Sequence, residues 1–412
     1  MKRLRTLLIV FVLLSLAGGF TGGYWYAGRA IVAESTSTPL KEVVNRDAGQ
    51  PQTVDFSLFW QVWERLHEQY VQNDSLDTEK LVNGAIHGMV DSVGDPYTVF
   101  FEPVDSAKFQ EEISGSFSGV GMEIDERDGS IIVVAPLKGT PAFMAGIKAG
   151  DIVLKVDETS TAGMSVEEAV NIIRGERGST VLLTVVREGV TEQLVFSIVR
   201  DVIRIPAVEW QMLDGGVAYL QLFTFNQNID EQFAQAARDI LASGATHLIV
   251  DVRNNPGGLL DSAVNLAGWF LENETVVVRE DFGGGVSQTM RSSGAAQLSG
   301  LKTVFLINGG SASASEIIAG AVHDQRGIRL IGETTFGKGS VQQLESFRNG
   351  SSLKVTVAKW LTPSGVSISD TGIEPTDLVE IDYDNLGDGE LEYGVPGKDP
   401  QLDRAFEIVQ SL

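Results

Sequence analysis

The sequence predicts a multidomain α/β protein that has an apolar N-terminal segment, a helical region, a β-rich module with short helices and a layered α/β core. Three patterns predict this architecture. Residues 6–28 carry no charge, and residues 56–93 show apolar side chains at helical spacing. From about residue 201, continuous apolar runs such as residues 248–252 and 303–307 alternate with predicted helices, as in a layered domain whose strands are buried on both faces.

Composition excludes several classes of function. The 412 residues carry a formal net charge of −24, which argues against nucleic acid as a partner because phosphate binding needs a basic face. The chain has no cysteine, so a thiol nucleophile, a thiolate zinc site and a disulfide framework are excluded. Its four histidines are scattered along the chain, at His67, His87, His247 and His323.

The first thirty residues predict a membrane anchor. Lys2, Arg3 and Arg5 precede the uncharged stretch, which is long enough to span a bilayer as a helix. Aromatic residues at 24–26 stand at its far end, where interfacial side chains belong. A cleaved signal peptide is the alternative, since it begins with the same charges. In either case the positive start places the rest of the chain outside the cytoplasm, in the periplasm or at the cell exterior.

The remaining chain divides by composition into five parts. We predict a polar linker at 31–54, a helical region at 55–105, a β-rich module at 106–200, the α/β core at 201–380 and a C-terminal segment at 381–412. The aromatic stripe of the helical region is expected to be core or a homodimer contact. The core helices are expected at residues 229–241, 260–271 and 316–322. Residues 399–412 predict an amphipathic helix that docks on a neighbour or on a second subunit.

The β-rich module carries a glycine pair before a predicted strand. Flexible glycines let successive backbone N–H groups converge on a carboxylate, although a glycine pair alone is more often a simple turn. Residues 141–157 (PAFMAGIKAGDIVLKVD) resemble the characteristic stretch of PDZ domains. The resemblance implies that the module adds an extended C-terminal peptide to a strand edge. It also implies that Gly119, Val120, Gly121 and Met122 hold the peptide carboxylate.

Residues 308–316 (NGGSASASE) follow a buried strand and open a helix. Ser313 and Glu316 have the spacing of a capping box, so a simple helix cap is one interpretation. The other is a nucleophile: a strand-to-helix turn projects a hydroxyl, and the helix N-terminus favours developing negative charge.

A serine nucleophile needs a base, and no histidine has a recognisable catalytic arrangement with Ser313. Lys338, within residues 332–343 (GETTFGKGSVQQ), is the candidate, provided that burial makes it neutral. A P-loop interpretation fails because Gly339 stands where a serine or threonine should bind Mg²⁺. If the segment is a strand, Lys338, Ser340 and Gln342 share one face, and Gln342 is expected to accept a hydrogen bond from the lysine.

Together these motifs resemble the C-terminal processing peptidases, also called tail-specific proteases. The spacing of 25 residues from Ser313 to Lys338 matches that family. So do, in order, the segments 94–97 (GDPY), 251–258 (DVRNNPGG), 362–365 (TPSG) and 372–375 (GIEP). The resemblance runs from about residue 55 to the C-terminus and includes an inserted PDZ domain.

The resemblance implies a serine endopeptidase that takes protein or peptide substrates with free C-termini. Ser313 would be the nucleophile, Lys338 the general base and Gln342 the residue that positions the lysine. The Ala314 N–H would donate to the oxyanion together with a second N–H, for which we favour Gly258 over Gly257. The chemistry requires no cofactor and no metal.

Two other functions are compared with this one. A membrane-anchored PDZ scaffold that binds tails without cutting them explains the N-terminus and the PDZ stretch. It gives no reason for Ser313, Lys338 and Gln342 to occur together. A PDZ-bearing trypsin-like protease needs a histidine in a catalytic arrangement with the serine and a Gly-x-Ser-Gly-Gly segment, and the sequence shows neither.

Overall fold

A computed structural model of the chain describes residues 55–127, 129–137, 139–187, 189–382 and 391–412. The predicted anchor and linker, residues 1–54, lie outside this range. No helix within it is long and apolar enough to cross a membrane. The chain divides into two compact units, Met1–Gly84 and Ala85–Leu412.

The described part of the first unit is helical. Helix α1 spans Ser57–Gln69, a 3-10 turn follows at Asn73–Ser75, and helix α2 (Thr78–Asp91) crosses the boundary between the units. No residue of α1 is buried, and its aromatic rings pack mainly on one another, with 5.0 Å between the ring centroids of Phe59 and Trp60. Within this part of the chain the expectation of a buried aromatic stripe is therefore wrong. The alternative, a homodimer contact, stays a prediction.

The first half of the second unit is rich in short strands. Its elements in chain order are β1 (Val99–Phe101), α3 (Pro103–Ser114), β2 (Ser116–Gly119), β3 (Met122–Arg127), β4 (Ser130–Pro136), α4 (Pro141–Ala145), β5 (Ile152–Val156), β6 (Thr159–Ser160), α5 (Val166–Ile173), β7 (Thr180–Val186), β8 (Leu194–Val199) and β9 (Asp201–Arg204).

Strands β3 to β8 form the sheet of the PDZ-like module, in the order β3-β4-β5-β7-β8 with β6 on β5. The sheet is antiparallel, and β3 forms one edge of it. Alternate residues such as Val181, Leu183 and Val185 point into one apolar core, as the period of two requires. Ser165 caps α5 with a complete capping box to Glu168.

The second half alternates strands and helices. Its elements are β10 (Val208–Leu213), β11 (Val217–Leu222), α6 (Ile229–Ala242), β12 (His247–Asp251), α7 (Leu260–Ala267), β13 (Val276–Asp281), β14 (Ser287–Arg291), β15 (Lys302–Ile307), α8 (Ala314–Arg326), β16 (Arg329–Gly332), β17 (Ser340–Ser346), β18 (Ser352–Leu361), β19 (Asp377–Leu378) and α9 (Pro400–Ser411).

A six-stranded sheet in the order β10-β11-β12-β15-β16-β19 organises this half, and all neighbours except β10 and β11 run parallel. Along β12, Leu248 and Val250 face a core shared with α6, α7 and α8, whereas Ile249 faces a second core shared with α9. The continuous apolar runs therefore arise because both faces of these strands are buried. This is the α/β layered core that the sequence predicts. Helix α7 ends at Ala267, earlier than expected.

An antiparallel sheet in the order β1-β18-β13-β14, with β17 also paired to β18, packs beside the same helices. Its Trp360 is almost fully buried in the larger core. The indole Nε1 of Trp360 donates to the Lys338 carbonyl at 2.8 Å, so this core residue holds the backbone of the lysine segment.

A two-stranded ribbon of β2 and β9 connects the PDZ-like module to the core. Ser116 pairs with Arg204 and Gly119 with Asp201, so the chain enters and leaves the module at adjacent points. The module is thus an insertion between α3 and the α/β core.

The C-terminal helix α9 docks on the parallel sheet, which is the neighbour that the sequence analysis left open. Beneath it lies a buried ion network. The Arg253 guanidinium donates to Asp399 at 2.7 Å and 2.8 Å and to Asp251 at distances from 2.6 Å to 3.0 Å. Tyr219 donates to the Asp251 carboxylate, and Gln401 accepts from Arg253. This network ties α9 to the segment that follows β12.

Candidate active site

Ser313 lies in a strained turn between β15 and α8. Its backbone has φ 53° and ψ −114°, a conformation that residues other than glycine rarely adopt. The turn places Ser313 at the N-terminus of α8, where the first backbone N–H groups have no intrahelical acceptor. Such a strand-to-helix turn is the geometry that exposes a nucleophilic hydroxyl.

The loop after β12 packs directly on this turn. The side chains of Asn254 and Asn308 bond to each other at 2.9 Å, and the Ala312 N–H donates to the Asn255 carbonyl at 3.0 Å. At Gly257 (φ 93°) a Cβ would lie 2.8 Å from the Ser313 Cβ and 2.9 Å from the Ala314 nitrogen. Only glycine fits there, because the two segments approach so closely.

Glu316 joins the nucleophile turn to the lysine segment. Its carboxylate is fully buried and accepts from the N–H of Ser313 at 2.7 Å, Gly337 at 2.7 Å and Lys338 at 3.0 Å, and from the Thr335 hydroxyl at 2.6 Å. Burial raises the pKa of the Glu316 carboxyl, although these hydrogen bonds oppose the shift. The sequence indicates only the cap; the structure adds that Glu316 also holds the segment carrying Lys338.

Lys338 lies in the cleft beside Ser313, just before β17. Burial lowers the pKa of the Lys338 amine, and the charge of Lys354 lowers it further, whereas Glu316 and Asp95 raise it. Its Nζ lies 5.0 Å from the centroid of the Tyr97 ring. Within the described ranges, no hydrogen bond joins this amine to the Ser313 hydroxyl.

Gln342 does not orient Lys338 as the sequence analysis expected. Its Nε2 donates to the hydroxyls of Ser340 at 2.8 Å and Thr356 at 3.3 Å, and the described residues show no hydrogen bond from Gln342 to Lys338. The expectation fails because β17 begins at Ser340, so Lys338 precedes the strand instead of sharing its face with Gln342. Both side chains nevertheless line the same cleft.

Gly257 and Gly258, the two candidates for the second oxyanion donor, differ in whether their backbone N–H group already has an acceptor. The Gly257 N–H already donates to the Asn255 side chain at 2.9 Å. No acceptor for the Gly258 N–H is found among the described residues, and Gly258 (φ 140°) lines the cleft with Ser313. This difference favours Gly258 over Gly257 as a free donor beside the Ala314 N–H.

A cleft of about 380 Å³ collects these groups. Ser313, Lys338, Gln342 and Gly258 line it, together with apolar side chains from α3, α7, α8, β17 and β18 that include Ile113, Leu260, Ile317, Val341, Leu344 and Trp360. The arrangement offers a hydroxyl, a partly desolvated amine and backbone donors beside an apolar wall, which suits acyl transfer to serine.

The PDZ-like module has a separate groove. Gly121 (φ 76°) is held close to Thr140, whose hydroxyl donates to the Gly121 carbonyl at 2.7 Å. A cavity of about 80 Å³ adjoins it, lined by Val120, Gly121 and Met122, three of the four predicted carboxylate-binding residues, and by side chains of β2, β3 and α5. Gly119 lies in β2, with its backbone paired to Asp201. In the part of the chain described, the N–H groups of Val120 and Gly121 have no acceptor.

Sequence analysis missed three features of the cleft. Glu316 as a buried acceptor had one signal, a charged residue directly before the apolar run of residues 317–322. The family resemblance places Tyr97 near the cleft, but the contact of its ring with Lys338 had no signal, because the two segments are distant in sequence. Lys354 lies near the rings of Phe101 and Phe109, at 5.5 Å and 5.4 Å, and it looks in sequence like any strand lysine.

Comparisons with known proteins assign three segments of the chain to known families. Residues 216–379 match peptidase family S41, residues 109–186 match the PDZ domain, and residues 16–103 match the N-terminal domain of the activating protease CtpB. The carboxy-terminal processing protease CtpA of Bacillus subtilis is 39% identical over 325 residues, which cover 79% of this chain and 69% of that protein. A carboxy-terminal-processing protease of Bartonella bacilliformis is 37% identical over 82% of this chain and 80% of that protein.

Among solved structures, a putative S41 protease from Bacteroides fragilis has a TM-score of 0.50 at 17% identity, covering 88% of this chain and 99% of that one. At this identity the likeness concerns the fold alone. The sequence relatives carry the assignment to a family. The chain belongs to the carboxy-terminal processing proteases of peptidase family S41, which are serine-type enzymes, with a PDZ domain inserted before its catalytic core.

Proposed function

We propose that the chain is a serine endopeptidase with a Ser–Lys dyad that selects substrates by their C-terminal tails. The observation that carries this proposal is the strained Ser313 turn, which opens onto the same cleft as the buried amine of Lys338. Neutral Lys338 takes the Ser313 proton as the hydroxyl attacks a peptide carbonyl. The N–H groups of Ala314 and Gly258 hold the oxyanion.

The second half of the reaction uses the same groups. Protonated Lys338 returns the proton to the departing amine, and an acyl-enzyme on Ser313 remains until water hydrolyses it. Gln342 lines the cleft and contributes by fixing the walls of the lysine site through Ser340 and Thr356. Lys338 must first approach Ser313, because no hydrogen bond joins them in this conformation.

Tail selection is supported by the groove of the PDZ domain. Strand β3 has a free edge to which an extended peptide can add. The unpaired N–H groups of Val120 and Gly121 suit a terminal carboxylate, and the adjoining cavity of about 80 Å³ suits a small apolar side chain. We therefore propose that substrates end in apolar residues.

We also propose that residues 1–30 anchor the enzyme in the membrane, with the catalytic part outside the cytoplasm. The charge pattern supports this placement. The exposed aromatic face of α1 supports a homodimer. Membrane fractionation of the full chain tests the anchor, and analytical ultracentrifugation in detergent tests the dimer.

The decisive experiment compares the full chain with its Ser313→Ala and Lys338→Ala variants in detergent. Two unfolded substrates differ only in their last residues, apolar in one and charged in the other. We expect cleavage of the apolar-tailed substrate, and a loss of about three orders of magnitude or more in both variants, with the thermal unfolding temperature unchanged.

Other outcomes discriminate between the proposals. Equal cleavage of both substrates would keep the protease and reject tail selection. Tail binding without cleavage by the unchanged chain would favour a PDZ scaffold. Activity retained by Ser313→Ala would reject the dyad.

A further inference from the structure

The motif at residues 94–97 (GDPY) lies at the catalytic lysine. The Asp95 carboxylate accepts from the Tyr97 N–H at 3.1 Å and from the Thr98 hydroxyl at 2.6 Å. The Thr98 hydroxyl in turn accepts from the Thr356 N–H of β18 at 3.1 Å. The motif is therefore a turn that is pinned to the strand beside Gln342, and it presents the Tyr97 ring to the cleft.

The ring is positioned to bind a cation. The Lys338 Nζ lies 5.0 Å from the Tyr97 ring centroid, within the range of a cation–π contact. The amine has no hydrogen bond to Ser313 or Gln342 in the described part of the chain. The aromatic face thus joins the carboxylates of Glu316 and Asp95 in favouring an ammonium in this desolvated site.

We propose that Tyr97 is a positioning residue that holds the Lys338 ammonium in a resting place, out of reach of Ser313, from which the amine must depart to act as a base. This inference rests on the proposed role of Lys338. It also gives the 94–97 motif a function that the nucleophile and oxyanion groups do not explain.

The charged groups around Lys338 set the sign of the expected effect. Lys354 of β18 disfavours the ammonium, whereas Glu316 of α8 and Asp95 of the Tyr97 turn favour it. The Tyr97 ring acts in the same direction as Glu316 and Asp95, because a cation–π contact stabilises only the protonated form of the lysine. Removing the ring while keeping apolar cover should therefore lower the pKa of the Lys338 amine.

The test measures how fast a small alkyl fluorophosphonate labels Ser313 in the full chain, as a function of pH. In this reaction the serine oxygen bonds to phosphorus, fluoride leaves, and the hydroxyl proton passes to Lys338. The probe has no peptide tail, so the rate does not depend on the PDZ groove. Leucine keeps apolar bulk over the amine, which makes Tyr97→Leu the informative variant.

For Tyr97→Leu we expect the acidic limb of the profile to move to lower pH by about half a unit to one unit. Tyr97→Phe keeps the ring and should follow the unchanged chain, and Tyr97→Trp should move the limb to higher pH because its ring binds cations best. Phe347→Leu, which removes an exposed aromatic of a β-turn, should leave the profile unaltered.

Three results would overturn the inference. The Tyr97→Leu profile could coincide with that of the unchanged chain, or its rate could fall equally at all pH values, as for a structural residue. Phe and Trp variants with the same profile would reject the inference even if Tyr97→Leu did not fold. In each case, a Lys338→Ala variant that is not labelled would mean that the Ser–Lys dyad proposal still stands. Labelling of Lys338→Ala at the unchanged rate would instead reject the proposed function itself.

Discussion

Glu316 is a single carboxylate on which both halves of the catalytic site depend. Its four donors come from the nucleophile turn and from the lysine segment, and none of its surface reaches solvent. Loss of its charge therefore affects the spacing of Ser313 and Lys338 as well as the stability of the fold.

We predict that Glu316→Gln lowers the free energy of unfolding by about 2–4 kcal/mol, because the amide offers one acceptor oxygen and places an NH₂ group among donors. Labelling of Ser313 by the fluorophosphonate should slow as well. Urea unfolding followed by fluorescence measures the first effect. Glu374→Gln, at an exposed position, is the matched control, and equal stabilities of the two variants would contradict the prediction.

Lys354 influences the base through charge. Its burial lowers its own pKa, and as a like charge it lowers that of Lys338. A lysine acts as a base only when it is deprotonated, so activity should rise with pH through the pKa of Lys338, and a lowered pKa brings this limb below the ordinary value of about 10.4.

We predict that Lys354→Met moves the acidic limb to higher pH by about half a unit, since removing a like charge favours the ammonium of Lys338. This is the opposite direction to Tyr97→Leu. The pH dependence of Ser313 labelling measures it. Lys359→Met, at an exposed position of the same strand, should cause no shift, and a shift common to both variants would show a general charge effect instead.

At this scale the sequence indicates the candidate catalytic residues better than it indicates the groups around them. Ser313 has its strand-to-helix turn and Lys338 its glycine-rich segment, so both are visible as local patterns. The contact of Tyr97 with Lys338 and the four bonds of Glu316 depend on how distant segments pack, and a local pattern carries no information on that.

Among the elements, helix α9 packs on the parallel sheet and is tied to it by a buried ion pair. Asp399 caps this helix by accepting from the Leu402 N–H at 3.0 Å and also binds the buried Arg253. Arg253 begins the segment that leads to Gly258, so the C-terminal helix supports the loop that carries the proposed oxyanion donor.

We predict that Asp399→Asn costs about 3–5 kcal/mol of unfolding free energy, because it removes one partner of a buried charge. Thermal unfolding measures this loss, and limited proteolysis tests whether α9 is released. Glu407→Gln removes only an exposed pair with Arg404 on the same helix and should change stability by about 0.5 kcal/mol or less. Similar losses of unfolding free energy in both variants would argue against a special role of the Asp399–Arg253 pair in holding α9.

The bounds of the core strands and helices agree with the predicted ones where the apolar side chains of the element are buried along its whole length. Strands β12 and β15 and helix α6 lie within a residue of their expected bounds, because their apolar spacing reflects burial directly. The strand that carries Gln342 starts later than the sequence suggested, at Ser340, and Lys338 lies outside it. The aromatic stripe of α1 also misled, because its spacing indicates a helix face but not what covers it.

For the whole molecule, we expect the proposed tail selection to depend on one glycine of the PDZ groove. A Cβ at Gly121 would lie 2.4 Å from the Thr140 Cβ, and its φ of 76° disfavours other residues. Gly139 has a similar φ of 80° but open space around it. An alanine at either position strains the backbone, but only at Gly121 would it also clash with a neighbouring side chain.

We predict that Gly121→Ala reduces the preference for an apolar-tailed over a charged-tailed substrate to near unity, because the carboxylate loop must shift. Gly139→Ala should retain the preference. Competition between the two substrates in one reaction measures the ratio directly. An unchanged ratio in Gly121→Ala would mean that the groove does not select the tail.

The β2–β9 ribbon has a consequence for how such an enzyme can change. Gly119 and Asp201 are already antiparallel neighbours, so a hairpin turn of about two residues would close the chain if everything between them were cut out. The PDZ domain is therefore a self-contained insertion that could be exchanged as a unit. Another domain whose two ends lie equally close together could be inserted at this position. The same active site would then act on substrates with different C-terminal sequences.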